Sequence, residues 1–274
     1  MLGRLRTEQA RFLIKLGNYA EAMQMITIAL DLAHTIQSGA LEALAVYHMG
    51  EALWQQGHYD PASRHLQRAA ALAHMAYARQ LEADSLRRLG RVLCEQGRYS
   101  DARAYVKQSL TLCRDMNDRQ REGRALNDLG IIADSQGDYM SSRDYYEQCL
   151  RLAREIGDRP GEGNALLNLG AVCTDQGHYR EAQTYFEQAL IICRESGDRR
   201  NEAINLENLG DNAHRQGDVI AASAYYEQTL RLCREIGDRQ GGEFYAGQSG
   251  LARTSVGQPS ARPFIQSTGP RHVD

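Results

Sequence analysis

Glycine recurs in this sequence at two positions of a 40-residue period. The first series consists of Gly50, Gly90, Gly130, Gly170, Gly210 and Gly250. The second series, seven residues further along, consists of Gly17, Gly57, Gly97, Gly137, Gly177, Gly217 and Gly257. Fixed spacing over this many periods is typical of repeat proteins, in which each repeat packs only against its neighbours. We therefore expect a row of repeats, although 274 residues would be enough for one large domain.

Other residue types keep the same period and predict two amphipathic helices in each repeat. Leucine precedes the first glycine series at Leu89, Leu129, Leu169 and Leu209. Tyrosine follows the second series at Tyr19, Tyr59, Tyr99, Tyr139 and Tyr179. Small residues come next, at Ala22, Ala62, Ala102, Ser142, Ala182 and Ala222, and then bulky ones, at Ile26, Leu66, Val106, Tyr146, Phe186 and Tyr226. Spacings of three and four place these positions on one helical face, where the small residues are expected to let paired helices approach closely.

The hexapeptide REIGDR stands at residues 154–159 and again at 234–239, with RESGDR at 194–199. Its first residues fit the last turn of a helix, Gly157 fits the position after the helix, and Asp158 fits the cap of the next one. Copies one repeat apart do not converge on a common catalytic centre. We therefore interpret the motif as the junction between repeats.

This pattern resembles the tetratricopeptide repeat, whose consensus has a bulky residue, Leu-Gly, Tyr, Ala, a bulky aromatic and Ala over two antiparallel helices. The matching residues are Leu166, Leu169, Gly170, Tyr179, Ala182, Phe186 and Ala189 in one repeat, and Leu206, Leu209, Gly210, Ala222 and Tyr226 in the next. The resemblance implies an all-α fold, a right-handed α-solenoid of antiparallel helix pairs. The longer period is similar to that of Leu-Gly-Asn-type scaffolds, kinesin light chains and the sensor arrays of large bacterial regulators. The asparagine that often follows the glycine in the Leu-Gly-Asn type is absent, since Glu51, Arg91, Ile131, Ala171 and Asp211 stand there.

The same pattern predicts the domain organisation. Residues 1–256 are expected to form about six repeats and a degenerate seventh, which keeps Gly250, Ala252 and Gly257. Residues 257–274 contain three of the five prolines and are expected to form an irregular tail. Neither end has an obvious polar capping helix. We expect either that the tail or a second chain covers the last repeat, or that the chain descends from a longer array. Uncapped terminal repeats would also allow copies of the chain to associate end to end.

Net charge indicates which classes of partner to expect, and the absence of long apolar segments indicates the location. The formal net charge of −3, from 32 basic and 35 acidic side chains, predicts neither a nucleic acid nor a membrane surface as partner. Without a signal peptide or a membrane-spanning segment, the expected location is the cytoplasm. The six cysteines form no closely spaced pair and are expected to be reduced core residues.

The resemblance implies that the first helix of each repeat lines a concave groove. Its inward positions lie six and three residues before each first-series glycine, and one and four after it. The predicted groove residues at these positions are Tyr47, Trp54, Arg87, Arg91, Asn127, Asn164, Glu207 and Asp211, and Arg88, Asn168 and Asn208, two residues before their glycines, are added to them. This track runs from aromatic through basic and amide-bearing to acidic, and predicts a partner peptide held in one orientation. In the alternative, Tyr47 and Trp54 pack between repeats, the arginines pair with Asp84 or nearby glutamates, and the asparagines bond neighbouring helices.

No nucleophile motif, phosphate-binding loop, dinucleotide fingerprint or HExxH sequence occurs. We therefore predict a protein without enzymatic activity, cofactor or metal, acting as a scaffold or adaptor that binds a partner peptide or helix in the groove. The alternative is a regulatory sensor array, which binds a signalling peptide or small ligand and controls an output domain or partner.

Overall fold

The computed structural model of the protein describes residues 2–237, which form a continuous series of helices joined by short turns. In this part of the chain there are twelve helices: α1 (Leu2–Lys15), α2 (Tyr19–Thr35), α3 (Gly39–Gln55), α4 (Tyr59–Met75), α5 (Arg79–Glu95), α6 (Tyr99–Asp115), α7 (Arg119–Ser135), α8 (Tyr139–Ile156), α9 (Arg159–Asp175), α10 (Tyr179–Ser196), α11 (Arg199–Arg215) and α12 (Val219–Ile236). Odd-numbered helices are the first helices of their repeats, and even-numbered helices are the second.

The described helices fall into two compact units, with the boundary at Gly137. Unit 1 contains α1 to α7, in which α1 pairs with α2, α3 with α4, and α5 with α6. Unit 2 contains α8 to α12, in which α9 pairs with α10 and α11 with α12. The predicted all-α fold of antiparallel helix pairs is confirmed. The predicted seventh repeat and the tail of residues 257–274 lie outside the described residues.

The second glycine series ends the first helix of each repeat. Gly57 has a φ of 77°, in the left-handed region that suits glycine. The N–H of the following residue, His58, donates to the carbonyl of Leu53 at 2.9 Å, the long hydrogen bond of a Schellman turn. The described glycines at the equivalent positions also have positive φ. This glycine therefore closes the first helix and lets the second begin two residues later.

The REIGDR motif forms the junction between repeats, as predicted. Gly157 has a φ of 70°, and the carboxylate of Asp158 accepts the N–H of Gly161 at 3.1 Å to cap α9. The two arginines of the motif also meet on one acid: Arg154 donates to Glu162 at 2.9 Å and Arg159 at 2.8 Å. The same clamp joins Arg194 and Arg199 to Glu202, and Arg114 and Arg119 to Glu122. The motif thus supplies the helix end, the cap and an ion-pair clamp.

The first glycine series allows the two helices of a pair to touch. A Cβ atom added to Gly170 would lie 2.5 Å from the ring of Phe186, and one added to Gly210 would lie 2.6 Å from Tyr226. Ala182, to which the sequence assigned this role, is fully buried. The helices therefore pack by placing a large side chain of the second helix over a glycine of the first.

The six cysteines are free thiols buried in the cores of their units. In unit 2, Cys173 lies in a cluster with Phe186, Leu206 and Leu209. Burial raises the pKa of Cys173 and of Cys193 to about 11, so both are protonated at neutral pH. The predicted core position of the cysteines is confirmed.

Candidate partner-binding surface

One face of α3 in unit 1 carries four of the predicted inward positions, at spacings of three and four residues. These are Leu44, Tyr47, Glu51 and Trp54. Tyr47 is buried, and the other three are half-buried. The face is therefore partly open, and the packing around it decides which side chains a partner can reach.

Glu51 is the centre of a hydrogen-bond network on this face. It accepts the Tyr47 hydroxyl at 2.9 Å and an Nη2–H of Arg88 at 2.9 Å, and the Nδ1 atom of His48 lies 3.2 Å away. Burial opposes ionisation of Glu51, but Arg88 and the hydrogen bonds of His48 and Tyr47 outweigh it and lower its pKa to about 2. Burial and the neighbouring carboxylate raise the pKa of Tyr47, which keeps its proton. Glu51 is therefore a half-buried acid that is ionised at neutral pH, and its carboxylate accepts hydrogen bonds from its neighbours.

Arg87 and Arg91 share a second acid. Asp128 of α7 accepts from Arg87 Nη1 at 2.7 Å and from Arg91 Nη1 at 3.2 Å. Burial works against the charge of Asp128, but the guanidinium of Arg87, followed by that of Arg91, holds the pKa of this carboxyl below its usual range. Asp128 thus ties α7 to α5.

The basic stretch predicted at Arg87, Arg88 and Arg91 is in the structure a neutralised ion-pair cluster. Its arginines face Asp128 and Glu51, and an Nη atom of Arg91 also lies 4.0 Å from Glu95. Asp84, which the sequence offered as a partner for these arginines, pairs with Arg121 at 3.1 Å instead. A partner's carboxylate would have to compete with acids that are already bound, so the cluster carries little free positive charge.

The other predicted groove residues differ in exposure and bonding. Asn127 in unit 1 is half-buried, as are Asn168 and Asn208 in unit 2, whereas Asn164 is exposed and Glu207 is buried. Asn208 donates to the carbonyl of Ile204 in its own helix at 2.8 Å. Asp211 accepts the hydroxyl of Tyr226 at 2.6 Å, within the α11–α12 pair. The described bonds of Asn208 and Asp211 therefore stay within a single repeat.

Sequence reasoning missed a cavity of about 600 Å³ at the amino-terminal ends of α3 and α5. Its apolar lining comes from Leu41, Leu44, Leu81 and Tyr77, and Arg4 lies at its edge. Leu44 joins it to the predicted inward face. Tyr77 is 91 % exposed and has a φ of 54°, at the position where Gln37 and Asn117 stand in the neighbouring junctions and Gly157 in the REIGDR motif. That aromatic, in place of the glycine of the REIGDR motif, was the available sequence signal.

The part of the chain that the structure describes has neither a group of potential metal ligands nor a helix suited to a membrane. Within it, no three His, Cys, Asp or Glu side chains are grouped as metal ligands would be. None of its helices is long and apolar enough to cross a membrane.

Comparison with known families matches the tetratricopeptide repeat profile to residues 42–115, 81–155, 121–195 and 161–235. These overlapping segments together cover more than half of the chain. Comparison of the sequence with curated proteins gives no significant match.

Solved structures share the fold at low sequence identity. Aspartyl phosphate phosphatase F from Bacillus subtilis is similar with a TM-score of 0.65 and 14 % identity, over 95 % of this chain and 74 % of that one. A signal transduction ATPase with a tetratricopeptide repeat sensor, from Pyrococcus horikoshii, gives 0.68 and 15 %, over 90 % of this chain but only 41 % of that one. A Rap protein complexed with competence and sporulation factor gives 0.66 and 12 %, over 92 % and 76 %.

Proposed function

Because the chain belongs to the tetratricopeptide repeat family, we propose that it is a protein-interaction module without catalytic activity, which binds a segment of a partner protein on the first helices of unit 1. The observation that carries this proposal is the apolar cavity beside Leu44. A volume of about 600 Å³ is large enough for a bulky side chain of a bound peptide. Arg4 at its edge favours a partner segment with an acidic residue next to the apolar anchor.

The arginine cluster has a supporting role in this proposal. Arg87 and Arg91 hold α5 to α7 through Asp128, and reversing their charge would break that link as well as test binding. The half-buried edge formed by Trp54 and Arg88 is the accessible part of the cluster. The opposite-charge orientation predicted from the sequence stays a prediction, and Trp54→Ala tests whether this edge contacts the partner without breaking the link through Asp128.

The residues that line the cavity support a binding role without catalysis. The side chains that line it include neither a carboxylate nor an imidazole, the usual groups for general acid–base catalysis. The similar protein from Bacillus subtilis is called a phosphatase, but at 14 % identity the similarity concerns the fold alone. We therefore assign the cavity to binding.

Selection from a random peptide library displayed on phage tests the proposal although the partner is unidentified. The full chain is the bait, and enriched peptides are synthesised and titrated by fluorescence anisotropy. Peptides with a bulky apolar residue beside an acidic one are expected, and Leu44→Ser and Tyr77→Ser are expected to weaken them at least about tenfold. Met140→Ser, which removes an apolar side chain that is 82 % exposed on α8, is the matched control. Equal binding by all variants, or no enrichment, would refute the proposal.

A regulatory sensor is the second candidate function. The similar proteins include one described as having a tetratricopeptide repeat sensor and one complexed with competence and sporulation factor. In this version the bound peptide changes the superhelical pitch and thereby controls a partner or output domain. Small-angle X-ray scattering with and without a selected peptide separates the two functions, because a scaffold keeps its radius of gyration and a sensor changes it.

A further inference from the structure

The first helix of the chain exposes a stripe of large apolar side chains. In α1 and the residue after it, Leu2, Leu5, Phe12 and Leu16 are between 52 % and 65 % exposed. Their spacings place them on one helical face, with Gln9 between Leu5 and Phe12. We call these five residues the α1 stripe. A contiguous apolar strip of this kind on a surface is typical of an interaction site.

The positions equivalent to Leu5 and Phe12 are buried in every other first helix of the described chain. Leu5 and Phe12 correspond, one repeat on, to Ala45 and Ala52, both of which pack in the apolar cluster of the first repeat. The later pairs are Ser85 and Val92, Ala125 and Ile132, Ala165 and Val172, and Asn205 and Asn212, and each of these residues is at most 1 % exposed. The middle of the α1 stripe, at Leu5 and Phe12, therefore occupies the face that each of the other first helices buries.

An ordinary further repeat is a poor fit for this face. At the position of Leu5 the other five first helices carry alanine, serine or asparagine, which let the preceding repeat come close. Leucine at this position and phenylalanine at position 12 would hold a similar neighbour away. The occupant must pack on bulkier side chains than those between successive repeats.

The spacing of the stripe indicates that the occupant is a helix. Leu2, Leu5, Gln9, Phe12 and Leu16 are separated by three, four, three and four residues, the a and d positions of a coiled-coil seam. A cavity of about 490 Å³ opens between α1 and α2 on this side, with an apolar lining of Phe12, Leu13 and Met25 and with Arg6, Gln9, Glu8 and Glu21 as its polar lining. A large apolar side chain of a facing helix can enter it.

The charges around the stripe define the chemistry of that helix. Apart from Arg4, which lines the cavity at Leu44, α1 carries Arg6, Arg11 and Lys15 against a single acid, Glu8, which pairs with Arg11 at 2.6 Å while both remain more than half exposed. We propose that the α1 stripe binds an amphipathic helix with acidic flanks from a partner protein. A second copy of the chain would bring an equally basic α1 against this one, and like-charge repulsion disfavours that pairing. This surface is separate from the cavity at Leu44.

A designed peptide tests this assignment directly. The probe is a three-heptad helix with leucine at a and d and glutamate at e and g, whose like charges also keep it from pairing with itself. Its counterpart has lysine in place of each glutamate. Fluorescence anisotropy with the full chain is expected to show saturable binding of the acidic peptide, weakened by added salt, and much weaker binding of the basic one.

Variants of the stripe locate the binding. Leu5→Ser combined with Phe12→Ser is expected to reduce affinity for the acidic peptide at least about tenfold. Ile220→Ser, which removes a side chain that is 86 % exposed on α12, is the control and is expected to bind normally. Circular dichroism checks that each variant keeps its helices. Leu44→Ser, which alters the cavity of the proposed function, is expected to leave the affinity for the acidic peptide unchanged. The experiment can therefore refute binding at the α1 stripe without refuting the proposed function.

Three results would overturn the proposal. The acidic and basic peptides could bind equally, which would remove the charge argument, or neither could bind. Alternatively, sedimentation velocity could show that the chain self-associates and that the Leu5→Ser, Phe12→Ser variant is monomeric, which would make a second copy the occupant.

Discussion

The guanidinium carbon of Arg88 lies 4.6 Å from the centre of the Trp54 ring, while the same side chain donates to Glu51 at 2.9 Å. Arg88 belongs to α5 and the other two residues to α3, so one side chain joins neighbouring first helices by a cation–π contact and an ion pair. Residues that the sequence indicated as ligand contacts thus stabilise unit 1. Variants of this cluster will change stability as well as binding, which determines how they must be tested.

Asp128→Asn is expected to destabilise unit 1 strongly. The substitution leaves Arg87 and Arg91 buried without their shared counter-charge, for which the typical loss is about 3–5 kcal/mol of unfolding free energy. Urea unfolding followed by circular dichroism measures the change against the wild-type chain.

Asp84→Asn is the matched control for this prediction. Asp84 and its partner Arg121 are 20 % and 26 % exposed, whereas Asp128 is 4 % exposed. Loss of this more accessible pair is expected to lower the unfolding free energy by less than about 1 kcal/mol. Similar losses of unfolding free energy in the two variants would show that the burial of Asp128 does not determine how strongly its ion pairs stabilise unit 1.

Acid is expected to weaken unit 1 through Glu51. Its folded pKa of about 2 lies below the ordinary 4.5, so its ionisation stabilises the fold above pH 4.5 and the effect is lost as the pH falls toward 2. The shift corresponds to roughly 3 kcal/mol. Glu51→Gln is therefore less stable than wild type at pH 7, and the gap narrows as the pH falls from 4.5.

Fluorescence of Trp54, the single tryptophan of the chain, follows this local unfolding in urea at each pH. A stability gap between wild type and Glu51→Gln that stayed constant from pH 7 to pH 3 would contradict the depressed pKa of Glu51.

Gly170→Ala is expected to destabilise unit 2 although alanine is the better helix former. The added Cβ would lie 2.5 to 2.8 Å from three ring atoms of Phe186, which is 1 % exposed and has little room to move. Overpacking of this kind typically lowers the unfolding free energy by about 1–3 kcal/mol, which exceeds the gain of at most about 1 kcal/mol in helix propensity.

Gly39→Ala separates the two effects. Gly39 is also helical, but the nearest atom to an added Cβ is that of Ala76 at 3.7 Å, an ordinary contact. This variant is expected to be as stable as wild type or slightly more stable in the same urea experiment. Destabilisation of equal size at both glycines would show that contact with Phe186 is not the cause.

The ends of the helices could be predicted from the sequence, but the contacts of the first glycine series could not. Gly57 and Gly157 act through their own backbone conformation, which a local pattern reveals. Gly170 acts through a ring sixteen residues away on the paired helix, and a sequence column does not show which side chain faces it.

The ion pairs within the candidate site could not be predicted from the sequence for a similar reason. Arg88 and Glu51 are 37 residues apart, and Arg87 and Asp128 are 41 apart. Neither distance is the repeat period, because neighbouring first helices contact each other through residues three positions short of one repeat or one position beyond it. Columns aligned at 40 residues group equivalent side chains, and they do not indicate the partners that meet between helices. The basic character predicted for the arginines therefore omitted the acids that neutralise them.

Restoring the repeat motif at the second junction, between α4 and α5, is expected to raise stability and weaken partner binding. Tyr77 has a φ of 54°, at a position where Gly157 stands in the REIGDR motif, and Ala78 offers no side chain to cap α5, unlike Asp158. Tyr77 is 91 % exposed, so its removal forfeits little packing. Tyr77→Gly with Ala78→Asp should therefore add about 1–2 kcal/mol, mostly from the new cap and the rest from relief of the left-handed backbone.

The measurement pairs thermal unfolding with peptide titration on the same protein. Ala78→Asp alone is expected to supply the capping part, about 1 kcal/mol, and it leaves the Tyr77 ring in the cavity lining. The double variant should gain further stability and bind selected peptides more weakly than Ala78→Asp does, because the Tyr77 ring is gone. Equal binding by the two variants would show that Tyr77 has no part in recognition. A binding role would explain why this junction has an exposed aromatic where the neighbouring junctions have Gln37 and Asn117 in the same left-handed conformation.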